Sequence, residues 1–246
     1  MSDAFIASYD SSGAYKWSFC KRDGDRSNSS LHAIIDEESN VYAFTDFRDS
    51  VNYDPNNINN FIYSKGTASE ALLARYSDNG TLKWHHTFGD GLGDVQIFDA
   101  DYANGYIYFL ADIPSHRVDW DPGSANAISL PVGADLALVK MDTSGNYVWG
   151  RQIVNTGYSI PKLLINDFGE IVITGSFKGT SSFAPVGNQW TRTALGTEHE
   201  IFVMKCDTGL GYILKLATFP GQGRDIPVDL SVNKFGDVSI STLPVQ

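Results

Sequence analysis

The phrase Asp3-Ala-Phe-Ile-Ala-Ser-Tyr-Asp10 returns three times along the chain, as Glu70-Ala-Leu-Leu-Ala-Arg-Tyr-Ser77, Asp135-Leu-Ala-Leu-Val-Lys-Met-Asp142 and Glu200-Ile-Phe-Val-Met-Lys-Cys-Asp207. Self-similarity at a fixed period is the signature of repeat architectures. In the first three copies a glycine follows at one offset (Gly13, Gly80, Gly145), and then a tryptophan (Trp17, Trp84, Trp149). The fourth copy reads as a drifted one, with Leu210 and Leu214 in those places. A second phrase of strand, turn and strand lies between the copies, at 31–36 and 41–47, 95–99 and 106–113, 163–166 and 170–177, and 228–232 and 237–242.

Each unit therefore offers four short strands. Runs such as Tyr106-Ile-Tyr-Phe-Leu-Ala111 and Glu170-Ile-Val-Ile-Thr174 are apolar at successive positions, as expected of a sheet covered on both faces. Asp10-Ser-Ser-Gly13, Ser77-Asp-Asn-Gly80, Asp142-Thr-Ser-Gly145 and Asn104-Gly105 are hairpin turns in which glycine supplies positive φ. No segment keeps a 3.6-residue apolar period for three turns, so no helix is expected.

These features predict an all-β fold, a four-bladed β-propeller with strands A to D running outward from the axis. The blades are 31–89, 95–154 and 160–219, and the fourth is split between residues 3–30 and 227–246. In this reading the strand at 237–242 pairs antiparallel with the strand at 4–10. The pairing closes a monomer, or, made between chains, joins subunits head to tail. The alternative is part of a larger propeller.

The repeat, Asp-x-Phe-Ile-Ala-x-Tyr-Asp-x-x-Gly-x-x-x-Trp followed by apolar-Asp-x-x-x-Asn-Val-Tyr, resembles the bacterial β-propeller repeats often called seven-bladed propeller repeats. It covers nearly the whole chain. The resemblance implies a surface or secreted protein of unassigned activity, and the four long units depart from the usual seven or so.

Composition narrows the function classes. A net charge of -11 and a pI near 4.7 disfavour nucleic acid as a partner, since that affinity rests on Lys and Arg neutralising phosphates. No apolar run reaches the roughly 20 residues of a membrane helix, and residues 1–5 lack a secretory signal, so the numbered chain is expected to be cytosolic or already processed. Cys20 and Cys206 occupy non-equivalent places in the repeat and read as two half-buried thiols.

Loops on a rigid scaffold usually carry function. The long connections fall on one face, at 48–69, 114–134 and 178–198 between strands B and C, and at 20–30, 89–94, 154–159 and 220–227 between D and A. The B-to-C loops share Val51-Asn-Tyr-Asp-Pro55, Val118-Asp-Trp-Asp-Pro122 and the degraded Ser181-Ser-Phe-Ala-Pro185. Asp119 and Asp121 are weak calcium candidates, because two carboxylates are too few for six to eight oxygens; the alternative is an aromatic anchor before an Asp-Pro turn. No cofactor or other metal is expected. The D-to-A loops carry Asp23, Asp25, Asp90, Asp94, Arg224 and Asp225, read either as solvated turn residues or as an axial carboxylate pair suited to glycoside cleavage.

Trp17, Trp84 and Trp149 repeat at one position and are expected to pack between blades. Non-repeating loop residues, Trp120, Trp190, His116 and Arg117, with Asp90, Asp94 and Asp225, are the ligand-binding candidates. His85 and His86 read as edge residues. No hydrolase, metalloprotease, P-loop or dinucleotide motif is present. The expected function is a non-catalytic interaction or structural module, self-associating or binding a protein partner. A carbohydrate-binding module and a glycoside hydrolase or lyase are the alternatives.

Overall fold

The computed structural model describes residues 5–20, 22–23, 31–57, 59–113, 118–124, 127–130, 135–153, 161–183, 189–195, 199–220 and 224–245. The fold is all-β, and no described residue is helical. First come β1 (Phe5–Tyr9), β2 (Tyr15–Cys20) and the short β3 (Arg22–Asp23). They are followed by β4 (Leu31–Ile35), β5 (Val41–Phe47), β6 (Ser50–Asn52), β7 (Phe61–Tyr63), β8 (Glu70–Tyr76) and β9 (Leu82–Phe88). The next group is β10 (Ile97–Ala103), β11 (Tyr106–Ile113), β12 (Asp135–Asp142) and β13 (Tyr147–Ile153). Then follow β14 (Lys162–Ile165), β15 (Glu170–Phe177), β16 (Thr180–Ser182), β17 (Thr191–Thr193), β18 (Glu200–Asp207) and β19 (Ile213–Phe219). The last pair is β20 (Arg224–Val232) and β21 (Val238–Val245).

Three four-stranded antiparallel sheets share one plan: β4-β5-β8-β9 (sheet I), β10-β11-β12-β13 (sheet II) and β14-β15-β18-β19 (sheet III). The hairpins β1-β2 and β20-β21 are two-stranded sheets of their own. The sheets pack on one another in succession. β4 and β5 contact β10, β10 and β11 contact β14, the first hairpin sits on sheet I, and β20 packs against β14, β15 and β18.

This stacking explains the continuous apolar runs. Side chains alternate along β5, yet all seven of its residues are buried, because each face meets a different neighbour. Tyr42 and Phe44 join Phe109, Val139 and Met141 of sheet II, whereas Val41 and Ala43 join Trp17 and Phe19 of the first hairpin. Sheet II repeats the arrangement, with Tyr108, Leu110 and Leu138 packed on Ile171, Ile173 and Phe202 of sheet III. Each such Leu, Ile or Phe contributes about 1.5–3 kcal/mol on burial.

Two expectations are corrected. The fourth repeat copy has not drifted to Leu210 and Leu214. Its turn holds one extra residue, so Gly211 takes the glycine place with φ 71°. Lys215 lies opposite Lys205, as Trp84 lies opposite Arg75 and Trp149 opposite Lys140. Nor does the strand of residues 237–242 close the monomer by pairing with that of residues 4–10, since within the chain, among the described residues, β21 bonds only β20 and β1 only β2.

Candidate functional site

The sheets are joined by one repeated contact, and it shows what the repeat residues are for. In each outer hairpin turn an Asp or Asn side chain folds the loop. Asp142 Oδ1 accepts the N–H groups of Ser144 and Asn146, both at 2.9 Å, and Asp10 Oδ1 does the same for Ser12 and Ala14. The Ser12 hydroxyl, followed by the Ala14 amide, holds the Asp10 carboxyl below its ordinary pKa.

The tryptophan of the preceding unit then lies flat on that turn. A methyl group placed on Gly80 would come within 2.7 Å of Trp17, and one on Gly211 within 2.8 Å of Trp149. The Trp17 indole N–H donates to Asp78 O at 3.0 Å, and that of Trp84 to Thr143 O at 3.1 Å. At the second and third joints a basic residue on the C-type strand reaches a turn carbonyl, and at Thr143 it is the one that Trp84 also bonds. Arg75 donates to Thr143 O at 3.1 Å and Lys140 to Thr208 O at 2.8 Å. Two of the three joints are therefore a tryptophan and a cation over a glycine turn, whereas at the first Ser8 stands opposite Trp17 where the others have Arg75 and Lys140. Trp17 and Trp149 are only 7% and 6% exposed.

At sheet III Lys215 takes the tryptophan's place. The outward face of this sheet, Ile201, Val203, Lys205, Lys215 and Phe219, borders a groove of about 570 Å³, whose far wall is β21 with Val238, Ile240 and Thr242. In sheets I and II the corresponding face is covered by a sheet of four strands; here only the A- and B-type strands β20 and β21 are supplied. Lys205, with no further turn to meet, donates to Glu170 Oε2 at 3.0 Å and to Gly236 O at 3.1 Å. Phe219 stays 52% exposed and Leu243 60%. Among the described residues β1 bonds only β2, with Phe5 70% and Tyr9 60% exposed. In the β1-β2 turn Gly13 has φ 83°, and among the described residues nothing lies within 4 Å of its Cβ position.

The sequence-selected residues fall elsewhere. Trp120 is fully buried, its ring centroid 5.5 Å from Phe88 and 6.2 Å from Phe109, so it anchors a loop and presents no stacking surface. The equivalent Tyr53 and Phe183 are buried likewise. Trp190 is half-buried against the core between sheets II and III, and its carbonyl accepts the Phe183 N–H. Part of two B-to-C loops is ordered as small ladders, β6 with β7 and β16 with β17.

Asp119 Oδ1 accepts the N–H groups of Asp121 and Ile128, both at 3.0 Å, and so shapes the turn. Asp90 caps the Leu92 amide. Asp94 ties two loops together by accepting from Ser69 N at 2.7 Å and Arg48 at 3.3 Å. His116, Arg117 and Asp25 lie outside the described residues, and of Asp225 only the backbone, paired with Pro244, is described.

His85, exposed, and His86, half-buried, lie on β9, the edge strand of sheet I, as expected; His85 packs on Tyr53 at 4.5 Å and His86 on Trp84 at 5.1 Å, beneath the Gly145 turn. Burial holds both imidazoles below their ordinary pKa, although the Gly145 backbone and Asp121 act in the opposite direction on His86. Among the described residues no three His, Cys, Asp or Glu side chains are grouped to hold a metal ion. No protein-family model matches the chain, and neither does any curated protein.

The signal that sequence reasoning missed was the lysine at 215. Aligning the fourth copy on Asp207 with a one-residue insertion restores Gly211 and Lys215 to register and marks sheet III as the sheet in which lysine takes the tryptophan's place.

Proposed function

We propose that the chain is a non-catalytic interaction and structural module, a β-propeller-type array of blades in which the two-stranded β20-β21 sheet binds a partner strand along β21. The observation that carries this reading is the groove beside β21, where an A-B pair stands without the C-D pair that every complete sheet adds. A free strand edge presents a row of unpaired N–H and C=O groups, and an extended segment adds to such an edge by main-chain hydrogen bonds, with side-chain pockets giving specificity. The propeller-repeat resemblance supports an extracellular or cell-surface setting. The fates of Trp120, Trp190, Asp90 and Asp94, all used in packing or in turns, favour this reading over sugar binding or hydrolysis.

The test is a labelled synthetic peptide of residues 3–20, a C-D phrase, titrated with the full chain by fluorescence anisotropy. Saturable binding that is lost on replacing Ile240 by proline is expected, because proline at the edge removes a ladder donor and distorts the strand. Absence of saturable binding overturns the proposal.

A further inference from the structure

We infer that the half-blade β20-β21 is completed by the β1-β2 hairpin of a second copy of this chain. The inference rests on the reading of β21 as an open edge and names its occupant.

Three observations fit one another. The vacancy is specific in kind, because β5, β11 and β15, the B-type strands of sheets I to III, each pair antiparallel with a C-type strand (β8, β12, β18), and β21 does not. A matching piece exists on the same chain, since β1-β2 is a C-D pair whose β1 strand bonds only β2 among the described residues. The joint is prepared on both sides. Arg75 and Lys140 reach Thr143 O and Thr208 O of the next turn, and Ser11 O is the equivalent atom of the β1-β2 turn, which makes Lys205 its donor. Gly13 has the left-handed φ of 83° and the open space that Gly80 and Gly211 use to take a tryptophan.

Lys215 stands where that tryptophan would be, and this points to an interface that also exists uncovered. A lysine keeps an unpaired surface soluble and resists indiscriminate pairing, while its stem lies on the glycine and its ammonium donates to the turn carbonyl. A second copy is favoured over the chain's own hairpin because within the chain β1-β2 packs on sheet I and β20-β21 on sheet III, and β1 and β21 are not bonded to each other. Two copies joined at both ends contain six whole blades and two composite ones, at the upper end of the four to eight usual for propellers.

The repeat also fixes the register. Arg75 lies opposite Tyr42, Lys140 opposite Tyr108 and Lys205 opposite Val172. The equivalent pair is Ser8 opposite Ser239. Residues so opposed have Cα atoms about 4.5–5.5 Å apart, within the span of a disulfide.

Two full-length chains, each with Cys20→Ser, are made with Ser8→Cys in one and Ser239→Cys in the other, then mixed under mild oxidant. The expected product is a mixed disulfide of twice the 27.0 kDa chain mass, with each variant alone remaining uncrosslinked through these sites. A mixture no more crosslinked than its components refutes the second copy as occupant, as does a chain with both cysteines that closes on itself as a monomer. Peptide binding at β21 without the mixed disulfide leaves the open-edge reading standing and overturns this inference alone.

Discussion

Replacing Trp120 by alanine separates an anchor from a binding platform. The indole is fully buried between Phe88 and Phe109, its backbone N–H donates to Ile128 O at 2.8 Å, and its side-chain N–H has no acceptor among the described residues. Truncating a buried tryptophan to alanine costs about 3–5 kcal/mol, the transfer term plus the cavity. For a chain of this size each kcal/mol moves Tm by about 2–4 °C, so a fall of roughly 6–20 °C is expected. Trp120→Phe keeps most of the ring contact and removes a donor that bonds nothing, so it should cost less than half as much. Thermal and urea unfolding followed by circular dichroism measure both, with an unchanged urea m-value showing that stability alone has moved. An alanine variant within 2 °C of the parent refutes the anchor assignment.

Three further outcomes follow from the joints and the buried titrating groups. Gly145→Ala and Gly13→Ala meet the same left-handed backbone, but only at Gly145 would the new methyl come within 2.6 Å of His86; in dilute protein Gly145→Ala should be the more destabilising by about 1–3 kcal/mol, and equal losses refute the joint. Burial holds His32, His85 and His86 below their ordinary pKa, so the unfolded chain takes up protons first as pH falls. Their contribution is complete above the unfolded value near 6.5 and is lost as pH falls through it, and Tm should therefore drop between about pH 7.5 and 5, with a shallower slope in His86→Gln. A parental slope in that variant contradicts the assignment. Cys20 is exposed, whereas burial pushes the Cys206 thiol up to about 12, so one thiol should react quickly with an alkylating reagent at pH 8 and the second only after unfolding; two fast thiols refute the packing.

The architecture of strands was legible because it is written locally. Asp-x-x-Gly turns, β-rich runs and a constant period are short-range features, and the apolar character of β5 and β15 at successive positions reported correctly that both faces are covered. The roles of Trp17 and Trp149 as packing residues followed from their equivalence by position. What the sequence hid is the relation between units. Gly80 needs to be glycine for φ and also because Trp17, more than sixty positions earlier, lies on it, and nothing local states the second reason. Trp120 looked like a ligand candidate because it sits in a loop, yet the loop folds its aromatic inward, as Tyr53 and Phe183 show for the same motif. The extra residue in the turn after Asp207 displaced the apparent register and concealed Lys215.

The central claim is that β21 offers an edge that the chain itself does not cover, and amide hydrogen exchange reads it directly. The alternate amides of β21 that point away from β20 should exchange rapidly in dilute protein and gain protection as concentration rises, while those of β15, bonded on both sides, stay protected throughout. Outward β21 amides as slow as those of β15 at every concentration would show that the edge is closed within the chain, and would contradict the account.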